Sequence, residues 1–408
     1  MANNKEKKVL NVPNLRFPEF SGEWSSQPLT DFMNFKNGMN PDAKRFGRGT
    51  KFISVMDILN NQYICYDNIR ASVELQDGDI ETYGVDYGDI LFQRSSETLE
   101  DVGRANVYLD SKPAIFGGFV IRGKSKGNYN PLFFRYLLAS PTARKRIIVK
   151  GAGAQHFNIG QDGLSKVSLD IPRLSEQEKI GKLLQCVDAR ITTQNKIIER
   201  YESLIRGIMV ELQKQGLKRG TWKKVFLNDI LKERNERNSN LYQVFSVSVS
   251  QGIINQVDHL GRSFSAKDTS KYNVVHYGDL VYTKSPTGSF PYGIVKQSLN
   301  RESVAVSPLY GVYVPDSLAI GIYLHKYFMS EINTQNYLHS LIQKGAKNTI
   351  NITNQRFLEN RVPMPLDSNE LVLISKLLRS LNDKIRHEQN MLQEYQKQKQ
   401  YLLRQMFI

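Results

Sequence analysis

Two stretches of the chain carry apolar residues in the heptad spacing of a coiled coil, and the second stretch repeats the first. Each seam position of the second stretch lies 194 residues after its counterpart, and the polar interruption at Gln194 recurs as Glu388. The seam residues are Ile180, Leu184, Val187, Ile191, Ile198 and Tyr201 in the first stretch, and Ile374, Leu378, Leu381, Ile385, Leu392 and Tyr395 in the second. An internal repeat of this length predicts two structural units, each with one long helix.

Each seam is too apolar to face water, so each helix needs a partner. We expect the two helices to form an antiparallel coiled coil with each other; the alternative is that each packs on its own globule. Ser175 and Glu178 predict a capping box that starts the first helix, and Asp367 predicts the N-cap of a second helix that runs to the C-terminus. Lys399 stands where the first seam has Ile205, which predicts that the last turns fray or are covered by another subunit.

The segments outside the helices echo each other as well. Gly22-Glu23-Trp24 recurs as Gly220-Thr221-Trp222, and Tyr87-Gly88-Asp89 recurs as Tyr277-Gly278-Asp279. Turn signals, β-branched runs such as residues 114–121 and a helix start at Asn130-Pro131 predict mixed α/β (α+β) globules. The predicted order is a lead segment at 1–20, a globule at 21–173, a spacer helix at 174–216, a second globule at 217–366 and a second spacer helix at 367–408.

The charge balance indicates a polyanionic partner. Lys and Arg exceed Asp and Glu by 55 to 40, which favours DNA or RNA before a membrane; the alternative is a basic protein with scattered lysines. Cys65 and Cys186 are the only cysteines, so neither a disulfide framework nor a zinc site is expected. No apolar run approaches the length of a membrane span and Met1–Lys8 lacks a signal-peptide pattern, so we expect a cytoplasmic protein with a short disordered lead.

The order of globule, helix, globule, helix resembles the specificity subunits of type I restriction-modification systems. The run Leu15-Arg16-Phe17-Pro18-Glu19-Phe20, followed by Gly22-Glu23-Trp24, is similar to the start of those subunits in Gram-positive bacteria. The resemblance covers essentially the whole chain. It implies two target recognition domains, each reading one half of a split sequence in double-stranded DNA. It also implies that the helices set the spacer and dock two methyltransferase (modification) subunits, which recruit restriction subunits.

The same resemblance assigns adenine methylation and ATP-driven cleavage, with S-adenosylmethionine, ATP and magnesium, to the partner subunits. The sequence contains no Asn-Pro-Pro-Tyr-like motif and no Gly-x-Gly-x-x-Gly. The spacing Gly-x-x-x-x-Gly-Lys-Ser occurs at Gly118–Ser125, but it overlaps the β-branched run 114–121, which predicts a strand and no phosphate-binding loop. Pro41-Asp42-Ala43-Lys44 lacks the second acid and lysine of a nuclease site, and the histidines form no metal-ligand pattern. We therefore expect no catalytic residue, metal or cofactor on this chain.

Three loops in each globule combine residues that neutralise phosphates with residues that read base edges. These loops are residues 36–48, 94–96 and 150–156 in the first globule, and 234–240, 284–287 and 344–349 in the second. The predicted DNA-binding residues are Lys36, Lys44, Arg45, Arg48, Arg94, Ser95, Ser96, Lys150, Gln155, His156, Lys284, Ser285, Thr287, Lys344, Lys347, Asn348 and Thr349. Arg94 and Lys284 follow the same strand in the two repeats, which makes them the strongest single candidates.

Two other classes of protein remain open on the sequence alone. A coiled-coil assembly scaffold would use the same helices without reading DNA bases, and its loop charges would then only be solvated. A self-contained modification or cleavage enzyme is the other class, and the missing amino-methylation motif argues against self-contained modification. Charge reversal at Arg94 and Lys284 separates the scaffold from the DNA reader, and activity of the isolated chain would indicate the enzyme.

Overall fold

The computed structural model describes residues 10–257, 268–344 and 350–408. The chain forms two compact units: unit 1 comprises Met1–Asn195 with Asn390–Ile408, and unit 2 comprises Lys196–Gln389. Each long helix therefore contributes one half to each unit. Both units combine sheets with short helices, so the predicted fold class of mixed α/β globules with long helices is confirmed.

In its described residues, unit 1 contains two four-stranded sheets and five short α-helices. The strands are β1 (Ser25–Pro28), β2 (Met33–Asn37), β3 (Phe46–Ile53), β4 (Ser72–Val73), β5 (Gly84–Val85), β6 (Ile90–Gln93), β7 (Ser95–Ser96), β8 (Ala105–Val107), β9 (Ala114–Phe116), β10 (Val120–Ser125), β11 (Phe157–Asn158) and β12 (Ser168–Ile171). The sheets have the orders β2-β10-β6-β8 and β4-β3-β9-β5, while β1 pairs with β12 and β7 with β11. The helices are α1 (Val55–Asn60), α2 (Asp79–Tyr83), α3 (Pro131–Ala139), α4 (Pro141–Ile148) and α5 (Gln161–Ser165).

Two local predictions for this unit can be compared with the structure. The apolar run 114–121 forms β9 and β10, which belong to different sheets, because Gly117 and Gly118 interrupt it. A Cβ on Gly38 would overlap the carbonyl oxygen of Gly117, so the backbones approach closely at this crossing. The predicted helix start at Asn130-Pro131 is confirmed, since Asn130 Oδ1 accepts a hydrogen bond from Phe133 N at 2.9 Å.

Unit 2 repeats this plan with one four-stranded sheet, β14-β21-β18-β19, and paired strands around it. Its strands are β13 (Trp222–Phe226), β14 (Leu231–Glu233), β15 (Phe245–Ser248), β16 (Gly252–Asn255), β17 (Asn273–Val275), β18 (Leu280–Tyr282), β19 (Val295–Gln297), β20 (Val304–Val306), β21 (Gly311–Pro315), β22 (Gln343–Lys344), β23 (Ile350–Asn351) and β24 (Arg361–Pro365). The long helix α6 (Leu174–Arg219) precedes it in the chain. Its short helices are α7 (Leu318–Tyr327), α8 (Glu331–His339) and α9 (Asn354–Phe357), and α10 (Ser368–Gln405) follows.

The repeated Tyr-Gly-Asp turns are buried structural corners in both units. Asp89 is 1% exposed and accepts hydrogen bonds from backbone N–H groups. Asp279 is 2% exposed and accepts one backbone bond and two bonds from Arg234, at 2.7 and 3.1 Å. The preceding Gly88 and Gly278 have φ angles of 91° and 93°, in the left-handed region that favours glycine. These turns recur because the fold needs them.

The starts of the two long helices differ. Ser175 lies inside α6, and the N–H groups of Glu176 and Gln177 bond to the carbonyl oxygen of Arg173, so the predicted Ser175–Glu178 capping box is wrong. Asp367 does cap α10, because its Oδ1 accepts a hydrogen bond from Asn369 N at 2.8 Å. None of the helices in the described part of the chain is long and apolar enough to cross a membrane.

In unit 1 the last part of α10 packs antiparallel against the first part of α6. Lys399 binds Asp188 at 2.6 Å, whereas Tyr395, earlier in α10, lines a groove with Ala189 and Gln194, later in α6. Of the predicted seam residues, the buried ones in the two units are Ile180, Leu184, Val187, Ile198, Ile374, Leu378 and Ile385. The half-buried ones are Ile191, Tyr201, Leu381, Leu392 and Tyr395.

The prediction that the C-terminal end frays is wrong. Leu402, Leu403, Met406 and Phe407 are buried in the core of unit 1. The Phe407 ring contacts Trp24 with 6.4 Å between ring centroids. The N-terminal segment lies here too, since Leu15 N donates to the carbonyl oxygen of Gln405 at 2.9 Å. Segments from both ends of the chain therefore close unit 1 together.

Candidate nucleic-acid interface

Two of the three predicted loops in unit 1 are brought together by strand pairing. Arg94 follows β6 directly, and β7 pairs antiparallel with β11, which places Ser95 opposite Asn158. Ser95 Oγ donates to Asn158 Oδ1 at 2.5 Å, and Ile159 N donates to the carbonyl oxygen of Arg94 at 2.9 Å. We call residues 94–96 with residues 150–158 cluster A. Loops distant in sequence thus present their polar side chains on one small sheet.

Cluster A exposes the residue types that contact nucleic acid. Lys150, Gln155 and His156 are exposed, while Arg94 is half-buried and donates from Nη1 to the carbonyl oxygen of Gly118 at 3.3 Å. Asn158 is also exposed in this cluster and was not among the predicted residues. Its recurrence as Asn351 in the second repeat was the signal that could have identified it. Cations beside amides and hydroxyls can bind phosphates and base edges together.

The third predicted loop of unit 1 is not an open loop. Lys36 lies in β2 with its Nζ 5.4 Å from the Tyr83 ring centroid, and residues 46–48 begin β3. Arg45 pairs with Asp79 and donates to the carbonyl oxygen of Glu74, so it holds the protein surface together.

Two basic side chains of this segment remain accessible. Arg48 pairs with the Glu74 carboxylate at 2.7 Å while its own side chain stays 70% exposed, and Lys44 is exposed. The prediction of an exposed loop over residues 36–48 is therefore wrong for both ends of that range.

In unit 2 the loop after β18 has a constrained backbone. Lys284 has a φ of 61°, which is rare for a residue with a Cβ. Gly293 lies against it, since a Cβ on Gly293 would lie 2.8 Å from Lys284 N. Thr287 and Phe290 exchange backbone hydrogen bonds at 3.0 Å, which closes a tight turn with Ser285 exposed and Thr287 half-buried. We call residues 284–293 cluster B.

Burial lowers the pKa of Lys284 from its ordinary value. Its side chain is half-buried, in contrast to the exposed Ser285 beside it. Lys344 ends β22, which pairs with β23, and these strands flank the remaining predicted loop. The predicted residues Lys347, Asn348 and Thr349 lie outside the described residues.

The predicted loop at residues 234–240 has several polar side chains bonded to the protein. Arg234 binds the buried Asp279 and also Glu236 at 3.3 Å. Arg237 donates to the carbonyl oxygen of Lys271 at 3.0 Å, and Asn238 is fully buried. Arg234 and Asn238 are thus tied to the protein, while Asn235, Arg237, Ser239 and Asn240 are exposed, and DNA binding by this loop stays a prediction. Among the described residues, no group of three His, Cys, Asp or Glu side chains could hold a metal ion.

Comparison with known proteins bears on the first unit directly. Residues 21–202 match the family model of the type I restriction modification DNA specificity domain. This part of the chain is similar to that family. The specificity domain matched here spans cluster A and the first part of α6.

A curated relative agrees with this assignment. The chain is 24% identical over 212 residues to a protein of Methanocaldococcus jannaschii described as a type I restriction enzyme specificity subunit. The match covers 51% of this chain and 49% of that protein, so this chain spans about half the length of the relative.

Solved structures extend the likeness in fold beyond the specificity domain. The S subunit of a type I restriction-modification system from M. genitalium has a TM-score of 0.60 at 13% identity, over 97% of this chain and 99% of that one. A chain from a structure on complex assembly and conformational transition of the type I system has a TM-score of 0.50 at 12% identity, over 93% and 96%. The chain is therefore similar to type I specificity subunits in the sequence of its first unit, and to solved S subunits in fold over most of its length.

Proposed function

We propose that the chain is the DNA-reading subunit of a type I restriction-modification complex and that each unit reads one half of a bipartite duplex target. The observation that carries this proposal is that clusters A and B follow equivalent strands, β6 and β18, and each presents a cation beside hydroxyl groups. The scaffold repeats at these positions while the loop sequences differ, which suits two readers of different sequences. The net charge of +15 would favour association with DNA.

Catalysis in this proposal resides on other subunits. Two modification subunits would dock on the long helices and methylate adenine with S-adenosylmethionine, and restriction subunits would cleave DNA with ATP and magnesium. One relative in fold comes from a structure on complex assembly of the type I system, which supports a role in assembly. The target recognition domains would be residues 21–173 and 217–366, with helices at 174–216 and 367–408 between and after them.

The long helices would set the spacer between the two half-sites. Both helices contribute to both units, so a change in helix length alters both at once. Inserting four residues, about one helical turn, beside Gln194 should change the preferred spacer or abolish assembly. The spacer is measured as the methylated-adenine motif in the genome of a host carrying the gene with its partners. An unchanged motif with unchanged assembly would argue against the ruler role.

Charge reversal at the two clusters tests the DNA contacts. In the complex with its partners, Arg94→Glu and Lys284→Glu should each weaken binding by about tenfold or more and lower the salt dependence of log K by roughly one. Lys166→Glu and Lys224→Glu are matched controls, because both lysines are exposed and lie outside the clusters. Equal affinity for every duplex at every salt concentration would refute sequence reading. Intact binding in both cluster variants would favour the scaffold alternative.

A further inference from the structure

Unit 1 contains a buried charged pair within its helix contact. Asp188 of α6 is 4% exposed and binds Lys399 of α10 at 2.6 Å. The same carboxylate accepts a hydrogen bond from the Tyr136 hydroxyl at 2.9 Å and pairs with Arg135 at 3.3 Å. Burial raises the pKa of Tyr136, so its hydroxyl stays protonated and donates. Both oxygens of this carboxylate are therefore occupied by donors.

The two positions of unit 2 that are equivalent to Asp188 and Lys399 carry no charge, although the equivalent of Arg135 is the buried Lys326. The 194-residue offset of the repeat relates Lys399 to Ile205 and Asp188 to Asn382. Ile205 is 6% exposed, and Asn382 is half-buried. Unit 2 thus completes the same part of its fold without an ion pair at this position.

The two helix segments that fill these equivalent places are otherwise alike. The apolar residues of the C-terminal segment recur in the second half of α6 as follows: Leu392 as Ile198, Tyr395 as Tyr201, Leu402 as Ile208, Leu403 as Met209 and Met406 as Leu212. Apolar matching alone would therefore let residues 196–214 of a second copy of this chain occupy the place of residues 390–408 in unit 1. Two copies would then pair α6 with α6 and α10 with α10.

We propose that Asp188 and Lys399 select the pairing of α6 with α10 over the pairing of like helices from two copies of the chain. In the like-helix pairing, Ile205 would face Asp188 and remove the lysine from a buried carboxylate. Lys399 would then face Asn382, which offers a neutral amide in place of a carboxylate. A single polar pair within an apolar seam can fix which helix a helix pairs with. The reason is that leaving a buried charge without its partner destabilises the wrong pairing by more free energy than the ion pair adds to the right one. This inference concerns how the chain assembles and does not depend on DNA reading.

The test is the oligomeric state of the full-length chain, measured by light scattering after size-exclusion chromatography. Lys399→Ile and the double variant D188N/K399I both remove the free-energy difference between α6–α10 pairing and like-helix pairing. The double variant gives unit 1 the same two residues that unit 2 has at these positions. Each should raise the dimeric fraction at a fixed concentration by about tenfold or more over the wild type. The quadruple variant D188N/K399I/I205K/N382D moves the charged pair to unit 2 and again favours pairing of unlike helices, so its dimeric fraction should return to that of the wild type.

Two results would overturn the proposal. One is that Lys399→Ile and D188N/K399I both have the same dimeric fraction as the wild type. The other is that the quadruple variant dimerises as strongly as the double variant, which would mean that loss of packing, and not loss of the charge code, causes association. Lys399→Ile leaves the Asp188 carboxylate in place, whereas D188N/K399I replaces it by a neutral amide. The two variants therefore test the same pairing hypothesis with and without a buried carboxylate.

Discussion

Asn106 in unit 1 and Lys296 in unit 2 occupy equivalent strand positions, but their buried side chains differ in hydrogen bonding. Asn106 lies opposite Leu91 in the sheet, and Lys296 lies opposite the equivalent Val281. Both are buried, but Asn106 donates hydrogen bonds to the carbonyl oxygens of Ile58 and Asn61, at 3.1 and 2.8 Å. Lys296 has no side-chain hydrogen bond or ion pair among the described residues, and burial lowers its pKa to about 8. The repeat preserves which positions are buried, while the chemistry at those positions has diverged.

The two tryptophans allow this comparison to be measured unit by unit. Trp24 belongs to unit 1 and Trp222 to unit 2, and both are buried. They are the only tryptophans of the chain, so Trp222→Phe leaves a fluorescence reporter of unit 1 and Trp24→Phe leaves a reporter of unit 2. Urea unfolding of these backgrounds gives a free energy of unfolding for each unit where the transitions separate.

The largest effect is expected from Asp188→Ala, which breaks the charged pair of unit 1. Lys399 and Arg135 would stay in place without their carboxylate, so unit 1 should lose about 3–5 kcal/mol of unfolding free energy. The Trp24 reporter measures this loss, and the Trp222 reporter should change little.

Asn382→Ala at the equivalent position of unit 2 is the matched control for Asp188→Ala. Asn382 is half-buried and uncharged, and alanine has the higher helix propensity, so unit 2 should change by less than about 1 kcal/mol. An Asp188→Ala loss no larger than that of the control would contradict the account of the charged pair.

Lys296→Met should stabilise unit 2, because it removes a buried charge that has no partner among the described residues. The folded-state pKa of about 8 lies below the ordinary 10.5, so the unfolded chain binds more protons between these values. The unfolding free energy of unit 2 should therefore rise from about pH 8 to pH 10.5. Below pH 8 the buried lysine is protonated in the folded chain and destabilises unit 2 by its full amount. At pH 7 the gain from Lys296→Met should be on the order of 2 kcal/mol.

The variant should also flatten the pH dependence reported by Trp222. A smaller rise would remain, since burial lowers the pKa of Lys326 to about 8 as well. Asn106→Met in unit 1 is the opposite control and should destabilise, because it leaves the buried Ile58 carbonyl oxygen and the partly buried Asn61 carbonyl oxygen without their donor. Destabilisation of unit 2 by Lys296→Met, at every pH from 7 to about 10, would show that the lysine has a stabilising role.

The sequence predicted the features that depend on period and local chemistry. The heptad seam, the Asn130-Pro131 helix start and the Asp367 cap are local patterns, and the structure contains all three. Features that depend on distant partners were not predictable in this way. Arg45 and Arg234 looked like DNA-binding cations because Asp79 and Asp279, which hold them, are far away in the sequence. Lys399 was interpreted as an interruption of the heptad seam because its partner Asp188 is also far away in the sequence. The DNA-binding residues of clusters A and B stay a prediction.

Glu176 and Glu370 are equivalent residues of the two units, and comparing them measures how much an additional ion-pair partner contributes to stability. The expected effect is smaller than that of Asp188→Ala. They lie 194 residues apart, and each accepts a hydrogen bond from the tryptophan of its own unit, at 3.3 and 2.8 Å. Glu176 also binds Arg16 through two hydrogen bonds of 2.8 Å, whereas no ion pair of Glu370 is found within the described residues.

Glu176→Gln should cost unit 1 about 2 kcal/mol, because it breaks a charge-assisted bidentate pair, and Glu370→Gln should cost unit 2 less than about 1 kcal/mol. Arg16→Gln in the Glu176→Gln background should add little, since the two residues act together. Equal losses in the two units would mean that the N-terminal segment contributes nothing to unit 1 through this contact.

The smallest effect distinguishes the starts of the two long helices. Asp367 caps α10 through its carboxylate, while Ser175 lies inside α6 and the backbone of Arg173 accepts the first N–H groups there. Asp367→Ala should therefore lower the unfolding free energy of unit 2 by about 1 kcal/mol, whereas Ser175→Ala should change unit 1 by less than about 0.3 kcal/mol. Asp367→Ser keeps a capping oxygen and should recover most of the loss. If Ser175→Ala costs as much as Asp367→Ala, then Ser175 caps α6 in solution and the first helical residue follows it.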